Sequence, residues 1–309
     1  MDISHSVDTF DAVIIGGGPA GLSAAINLAR ACRSVAVFEC GRPGRSDWAQ
    51  VNHNYLGFPD GIPIVELDAR GRRQAERFGV RFIESEVTSV TQVAGGFKAC
   101  APRTTVQARA VVLATGVADR WVTFPGYEDY IGRSMHWCIA CDGYEMQGQR
   151  VVIAGNDEDT AEMAMQMLIF TAQVSIVTNS GSLGLRPVTV EALEKRGIRL
   201  VVGRIASARA RSRGYVDALL LEGGEEIGLD HLFSAQGADP NTALARALGV
   251  ELTAEGYVKV DVEGRTSRAG VFAAGDVTRL YSHQIVTAAH EGAMAANSLN
   301  YHLYEQDQR

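Results

Sequence analysis

The stretch His136-Trp137-Cys138-Ile139-Ala140-Cys141-Asp142-Gly143 holds two cysteines at Cys-x-x-Cys spacing, with a carboxylate directly after the second. Such a pair can close a disulfide, bind a metal or lie idle in a core. Structural zinc takes four ligands, and the sequence has no second Cys-x-x-Cys and no paired-histidine motif, so no metal site is expected. Redox use is the favoured reading, because this spacing lowers a thiol pKa and makes thiol–disulfide exchange fast. Asp142 is then placed to move a proton to or from the leaving thiolate. His136 could tune the pair, but it is read as a polar surface residue. The other cysteines, at 32, 40 and 100, make the total odd, which argues against a disulfide scaffold.

Two strand–turn–helix–strand units must position this chemistry. In the first, Ala12–Ile15 is a short apolar strand and Gly16-Gly17-Gly18-Pro19-Ala20-Gly21 is its turn. Leu22–Arg30 reads as a helix, and Val35–Phe38 as a strand ending at Glu39. In a Gly-x-Gly-x-x-Gly turn the first glycine allows the tight bend, the second lets a pyrophosphate approach the backbone, and the third lets helix and strand pack closely. Gly16, Gly18 and Gly21 take these places, and the helix N–H groups face the phosphates. Glu39, 23 residues after Gly16, is placed to accept hydrogen bonds from the adenosine ribose.

The second unit begins at Val151–Ala154 and has Val174–Val177 as its second strand, but its turn reads Gly155-Asn156-Asp157-Glu158-Asp159. Side chains stand where glycines should be. Each carboxylate beside a bound pyrophosphate would repel it by roughly 3 kcal/mol at ~5 Å and an effective dielectric constant of about 20. Asp159-Thr160-Ala161-Glu162 fits a capping box, with Asp159 as N-cap of a helix starting near Thr160. The second strand ends in Thr178-Asn179-Ser180, without an acid for a ribose, and Arg186 is the nearest arginine after it. NAD(P) binding is therefore not expected here.

Residues 41–61 read as a long loop, Val65–Phe78 as a helix, and 80–83, 86–93, 97–101 and 105–107 as small antiparallel strands. Ala110–Ala114 is a buried strand closed by Thr115-Gly116, followed by a linker from Gly116 to Gly126. A second linker is expected near Gln236–Pro240, then a strand Gly270–Ala274, the turn Gly275-Asp276 and a last helix from Ile285. The expected fold is α/β, with two doubly wound three-layer Rossmann-like domains, the second inserted in the first. The boundaries are 1–119 and 241–309 for the split domain and 120–240 for the insertion.

Composition agrees with a two-domain globular protein. Its 309 residues are 46% hydrophobic and 21% charged, with net charge −7 and no basic block, which argues against nucleic acid as a main partner. The N-terminus lacks the pattern of a signal peptide, and no apolar run is long enough to span a bilayer; a cytoplasmic location is the expectation.

Taken together the motifs resemble the low-molecular-weight thioredoxin reductases, the class II pyridine nucleotide-disulfide oxidoreductases, over nearly the whole chain. They are Gly16–Gly21; Asn54-Tyr55-Leu56-Gly57-Phe58-Pro59; Ala114-Thr115-Gly116; Cys138–Gly143; and Ala273-Ala274-Gly275-Asp276-Val277 followed by His283-Gln284-Ile285. The resemblance implies FAD in the split domain, a redox disulfide on the inserted one, and a homodimer. It implies that Asp276, after Gly275, holds the flavin ribityl chain, and that Asn54, Ala114, Thr115 and Gly116 are further FAD contacts. The flavin site so implied also takes in Pro19, Ala20, Cys40, Ser46, Val87, His283, Gln284 and Ile285. Cys141 resembles the flavin-proximal sulfur, Cys138 the one that exchanges with the partner disulfide, and Asp142 the family acid.

The departures are the acidic second turn, the absence of a His-Arg-Arg-type cluster for NADPH, the loop at 41–54 and the tail from Ala288 to Asn300. They resemble the NADPH-independent branch, the "deeply rooted" and ferredoxin-dependent flavin reductases. A second resemblance is to the dithiol oxidases that close disulfides in natural products. The first expectation is a reductase of a thioredoxin-like protein or small disulfide, fed by a donor such as ferredoxin. Alternatives are a dithiol oxidase using oxygen, an ordinary NADPH-dependent reductase with unusual nucleotide binding, and a non-catalytic flavin redox sensor. The tail aromatics Tyr301 and Tyr304 are expected to pack on the terminal helix.

Overall fold

A computed structural model describes residues 7–41, 44–45 and 48–308. The chain divides into two compact units, one of Met1–Ser46, Val65–Ala118 and Asp239–Arg309, the other of Asp47–Ile64 and Asp119–Ala238.

The first unit is built on a sheet whose parallel strands run in the order Arg81–Glu84, Val35–Glu39, Asp8–Ile15, Thr104–Leu113 and Val271–Ala273. Strand Asp8–Ile15 is central, and its alternate side chains enter different cores. Ala12 and Ile14 join a cluster with the helices Pro19–Arg30 and Ile285–Asp307, while Val13 and Ile15 join one with Phe38, Leu113 and Val258. Burial on both faces explains why the strand reads as an unbroken apolar run. The two helices approach closely because small residues line their contact. A Cβ on Gly292 would lie 2.1 Å from the Ala20 carbonyl oxygen.

Two expectations for this unit are corrected. Residues 81–84 pair in parallel with Val35–Glu39 and are not part of an antiparallel set. The segments expected at 105–107 and 110–114 are one strand, Thr104–Leu113. Its first half pairs antiparallel with Gly96–Ala101 and its second half parallel with Val271–Ala273, on the same edge. A short alternating stretch cannot reveal that it continues into a buried run, since periodicity marks a face and not a partner.

The second unit has a five-stranded parallel sheet in the order Met135–His136, His231–Ser234, Val151–Ala154, Val174–Val177 and Arg199–Val201. Helices Glu158–Met167 and Pro187–Lys195 follow the strands Val151–Ala154 and Val174–Val177, and the meander Ile205–Ser212, Tyr215–Leu221 and Glu226–Gly228 completes it. The loop expected at 41–61 contributes a short pairing of Val51–Asn52 with Ile62–Pro63 to this unit. Both stretches expected as linkers contain short strands, Val117–Asp119 and Ala238–Pro240. Among the described residues, no helix is long and apolar enough to cross a membrane.

Candidate functional site

At the first turn the glycines are sterically required. Gly16 has φ +108°, and a Cβ there would lie 2.2 Å from the Ala114 carbonyl oxygen; one on Gly21 would lie 1.9 Å from that of Gly16. The helix Pro19–Arg30 starts with Gly18 as N-cap and Pro19 at its first position, with no side chain capping it and no acid in its first turn. Its first N–H groups are thus available to an external anion. Glu39 stands at the end of the neighbouring strand. Its Oε2 accepts the Gly17 N–H at 2.6 Å and its Oε1 the Cys40 N–H at 2.9 Å. A backbone cradle open to anions, beside a carboxylate fixed at the strand end, fits the pyrophosphate and ribose of an adenine dinucleotide.

The rest of the flavin set lies in the same unit with one exception. Thr115 Oγ1 donates to the Asn241 carbonyl at 2.7 Å and Asn241 Nδ2 donates to the Thr115 carbonyl at 2.8 Å, which pins the turn where Gly116 has φ +64°. Gly275 has φ +82°, its N–H donates to Glu291 Oε2 at 2.8 Å, and Asp276 pairs with Arg45 at 2.8 Å. His283 Nε2 lies 2.7 Å from the Arg279 carbonyl oxygen, and Gln284 caps the helix beginning at Ile285 through a reciprocal bond pair with Thr287. The Val87 side chain is packed in the core. Ala20 is buried against the terminal helix, Cys40 is exposed, and Ser46 lies outside the described residues. Asn54 is the exception. It belongs to the second unit, and its Nδ2 donates to the Ala140 carbonyl inside the Cys-x-x-Cys at 3.3 Å. Tyr301 and Tyr304 are exposed at 61% and 55%, so the expected packing of these rings is corrected.

The second turn keeps the strand–turn–helix path of the first, but a side chain caps its helix. Gly155 is still required, since a Cβ would lie 2.2 Å from Thr160 Oγ1. The expected N-cap is corrected. Asp157, not Asp159, caps a helix that starts at Glu158, and its Oδ1 accepts the Thr160 N–H at 2.9 Å and the Thr160 hydroxyl at 2.6 Å. Spacing alone does not separate the two caps, because each acid precedes a helical pattern; the shorter turn wins by satisfying Thr160 twice. Glu158 accepts the Arg186 N–H at 3.0 Å, the Arg186 guanidinium at 2.8 Å and the Thr189 hydroxyl at 2.7 Å. The Arg186 bonds, above all, hold its carboxyl down at about 2. Asn156 donates to the Ser182 carbonyl and accepts the Gly184 N–H. Each of the three side chains is bonded within the unit, and the nearest arginine serves Glu158.

Cys138 and Cys141 form a disulfide, both half-buried, at the start of the short helix Ile139–Asp142. Asp142 is buried, and Gln50 Nε2 donates to its two oxygens at 3.1 and 3.2 Å. His136 is 5% exposed, which overturns its reading as a surface residue. Its Nδ1 stands 3.5 Å from Asp142 Oδ2 and its Nε2 lies 3.2 Å from His231 Nδ1. Strand pairing explains the burial: His136 stands opposite Phe233, whose ring stacks on its own. A three-tryptophan array, Trp48–Trp121–Trp137, with edge contacts at 5.9 and 5.2 Å, leads up to Cys138. Gln50, His231, Trp48 and Trp121 come from more distant parts of the sequence, and no local pattern announces them. Among the described residues no group of His, Cys, Asp and Glu could hold a metal ion.

A fold of two Rossmann-like units carrying one open dinucleotide turn and a redox-type disulfide defines a flavin disulfide oxidoreductase. Comparison agrees: residues 10–292 match the pyridine nucleotide-disulphide oxidoreductase family. The chain belongs to that family, in its low-molecular-weight thioredoxin reductase class. It is 35% identical to a thioredoxin reductase of Mycolicibacterium smegmatis, over 99% of this chain and 100% of that one. It is 33% identical to one of Streptomyces coelicolor, over 94% of this chain and 92% of that one. A crystal structure of a thioredoxin reductase from Streptococcus pyogenes superposes with a TM-score of 0.89 at 27% identity, covering 97% of this chain and 100% of that one.

Proposed function

We propose that the chain passes electron pairs between FAD, held by the first unit, and the Cys138–Cys141 disulfide, which exchanges with a thioredoxin-like protein, and that the electrons do not enter as NADPH. One observation carries the second part. The two turns are counterparts, and the helix N-terminus after Gly16–Gly21 is free of acids and side-chain caps, whereas the one after Gly155 is capped by Asp157 and followed by Glu158 and Asp159. A carboxylate cap takes up one of the N–H groups that would meet a phosphate, here that of Thr160, and the acids at this N-terminus repel a phosphate's charge. With Arg186 engaged by Glu158, the nearest cation for a 2′-phosphate is also committed. A one-electron donor such as ferredoxin is the reading that matches this pattern, and a homodimer is the expected assembly.

FAD, when bound, supplies a carrier that takes up or releases electrons singly or in pairs. This chain's residues do the rest. Gly16, Gly18 and Gly21 shape the backbone around the pyrophosphate, and the helix N–H groups after Gly18 bind it. Glu39 accepts the ribose hydroxyls while the Gly17 and Cys40 N–H groups hold its carboxylate in place. Asp276, between Gly275 and the terminal helix, is the acceptor for the ribityl hydroxyls. At the disulfide, Cys138 meets the partner sulfur and Cys141 the flavin side, and Asp142 protonates the thiolate that leaves.

Anaerobic titration of the flavin spectrum with NADPH, NADH, reduced ferredoxin and dithiothreitol in turn tests the proposal. Bleaching by ferredoxin and by dithiol, with none by stoichiometric NADPH, is expected. Bleaching within seconds of adding NADPH overturns the assignment of the donor. Rapid oxygen uptake driven by a dithiol, with no disulfide reduction from ferredoxin, reverses the direction of flow.

A further inference from the structure

We propose that His136 and His231 form a proton path that reloads Asp142 from solvent whenever the Cys138–Cys141 disulfide opens. The inference deepens the reading above and rests on it in one respect, that this disulfide is the one that exchanges.

Opening the disulfide makes a thiolate, and a thiolate held in a half-buried site needs a proton. Asp142 follows Cys141 directly and is 7% exposed. Gln50 gives its carboxylate two N–H bonds, but a primary amide holds a carboxylate without supplying an acidic proton. The other polar atom facing it is His136 Nδ1, at 3.5 Å from Oδ2. This nitrogen is buried and has no hydrogen-bond partner among the described residues. A buried polar group is costly to leave unpaired, and a few tenths of an ångström of movement toward Asp142 pairs this one. On its far side His136 Nε2 reaches His231 Nδ1 at 3.2 Å. His231 is half-buried and begins the strand that pairs with Met135–His136.

The charged groups around the pair are Asp142 on the inner side and Asp230, Arg150 and Arg211 on the outer side, where Asp230 pairs with both arginines. Burial first, then His136 and Arg211, pushes His231 down to about 4. It is therefore neutral at ordinary pH and hands a proton on without storing it. A neutral imidazole carries one N–H and one bare nitrogen, so it can accept at one side and give at the other.

A dithiol thiolate attacks one sulfur, a new S–S bond forms and the Cys138–Cys141 bond breaks. As the thiolate departs, the Asp142 carboxylate takes the proton of His136 Nδ1 and passes it to the sulfur, His136 Nε2 takes that of His231 Nδ1, and His231 takes one from water. The second thiol of the dithiol then resolves the mixed disulfide and brings the other proton, leaving an oxidised dithiol and two protein thiols. His136 and His231 are positioning residues here, because each acts through Asp142.

The test is a single turnover of the oxidised full-length protein with dithiothreitol, quenched in acid and read as alkylated Cys138 and Cys141. It does not use the flavin signal. Rates per dithiothreitol thiolate are compared across pH, in water and in heavy water, for the wild type, His231→Gln, His231→Ala and His136→Gln. Expected are a roughly tenfold or greater loss in each variant, a changed pH profile, and partial restoration of His231→Ala by added imidazole. Wild-type rates and profiles in the His231 variants overturn the inference. So does a uniform loss with an unchanged profile and no rescue by imidazole. The His231 variants decide the matter if His136→Gln does not fold. A wild-type disulfide untouched by dithiothreitol brings down the proposed function itself and is thereby distinguished from failure of the proton path alone.

Discussion

Asp157→Asn separates charge from capping at the second turn. Asparagine caps a helix about as well as aspartate, so the bond to the Thr160 N–H is kept and stability should change by less than about 0.5 kcal/mol. What is lost is one negative charge at the N-terminus of the helix Glu158–Met167. A phosphate placed there as in a competent dinucleotide turn would be ~5 Å from that charge, a repulsion of roughly 3 kcal/mol at an effective dielectric constant of about 20. Asp157 is exposed, and screening at physiological salt roughly halves the figure, to about 1.5–2 kcal/mol. This corresponds to a gain of roughly ten- to thirtyfold in NADPH affinity. Calorimetric titration with NADPH at low and physiological salt measures it, with the larger gain expected at low salt. An affinity unchanged at both salts, or a wild type that already binds NADPH as tightly as the variant, refutes the electrostatic argument.

Gly21→Ala should abolish flavin retention while leaving secondary structure largely in place, since its Cβ would enter the Gly16 carbonyl oxygen at 1.9 Å; the flavin-to-protein absorbance ratio after purification reads the outcome. Cys141→Ser should leave Cys138 able to trap a thioredoxin-like partner in a mixed disulfide, and the reciprocal Cys138→Ser should trap far less, which mass spectrometry of the complex distinguishes. Acid unfolding should begin early. Asp230, held at about 2 by Arg150, contributes stability that is full above its unfolded value near 3.8 and lost as pH falls through about 2. His231, pushed to about 4 from 6.5, adds an earlier loss, since below pH 6.5 the unfolded chain gains a proton that the folded one refuses until about pH 4. Denaturant midpoints measured from pH 8 to 3 should lose the upper part of this slope in His231→Phe.

Much of the site was legible in the sequence because its chemistry is local. A turn needs its glycines at Gly16, Gly18 and Gly21, and a thiol pair needs Cys138 and Cys141 with two residues between them, so short-range spacing announces both. The acidic second turn was legible for the same reason, and the structure moved its cap only from Asp159 to Asp157. What lay beyond reading were groups joined by strand pairing. Nothing in the neighbourhood of His136 signals that its strand lies beside His231–Ser234, which buries it against Phe233 and sets His231 next to it. Nothing around Gln50 shows that a loop will fold back and hold Asp142, or that Arg186 will close on Glu158 from 28 residues away. Local sequence thus determined where the thiol pair, the glycine turn and the acidic turn lie. The tertiary structure alone decided which polar groups face one another in the interior, because sheet order and loop return are set by burial of the whole apolar set and not by any short stretch of it.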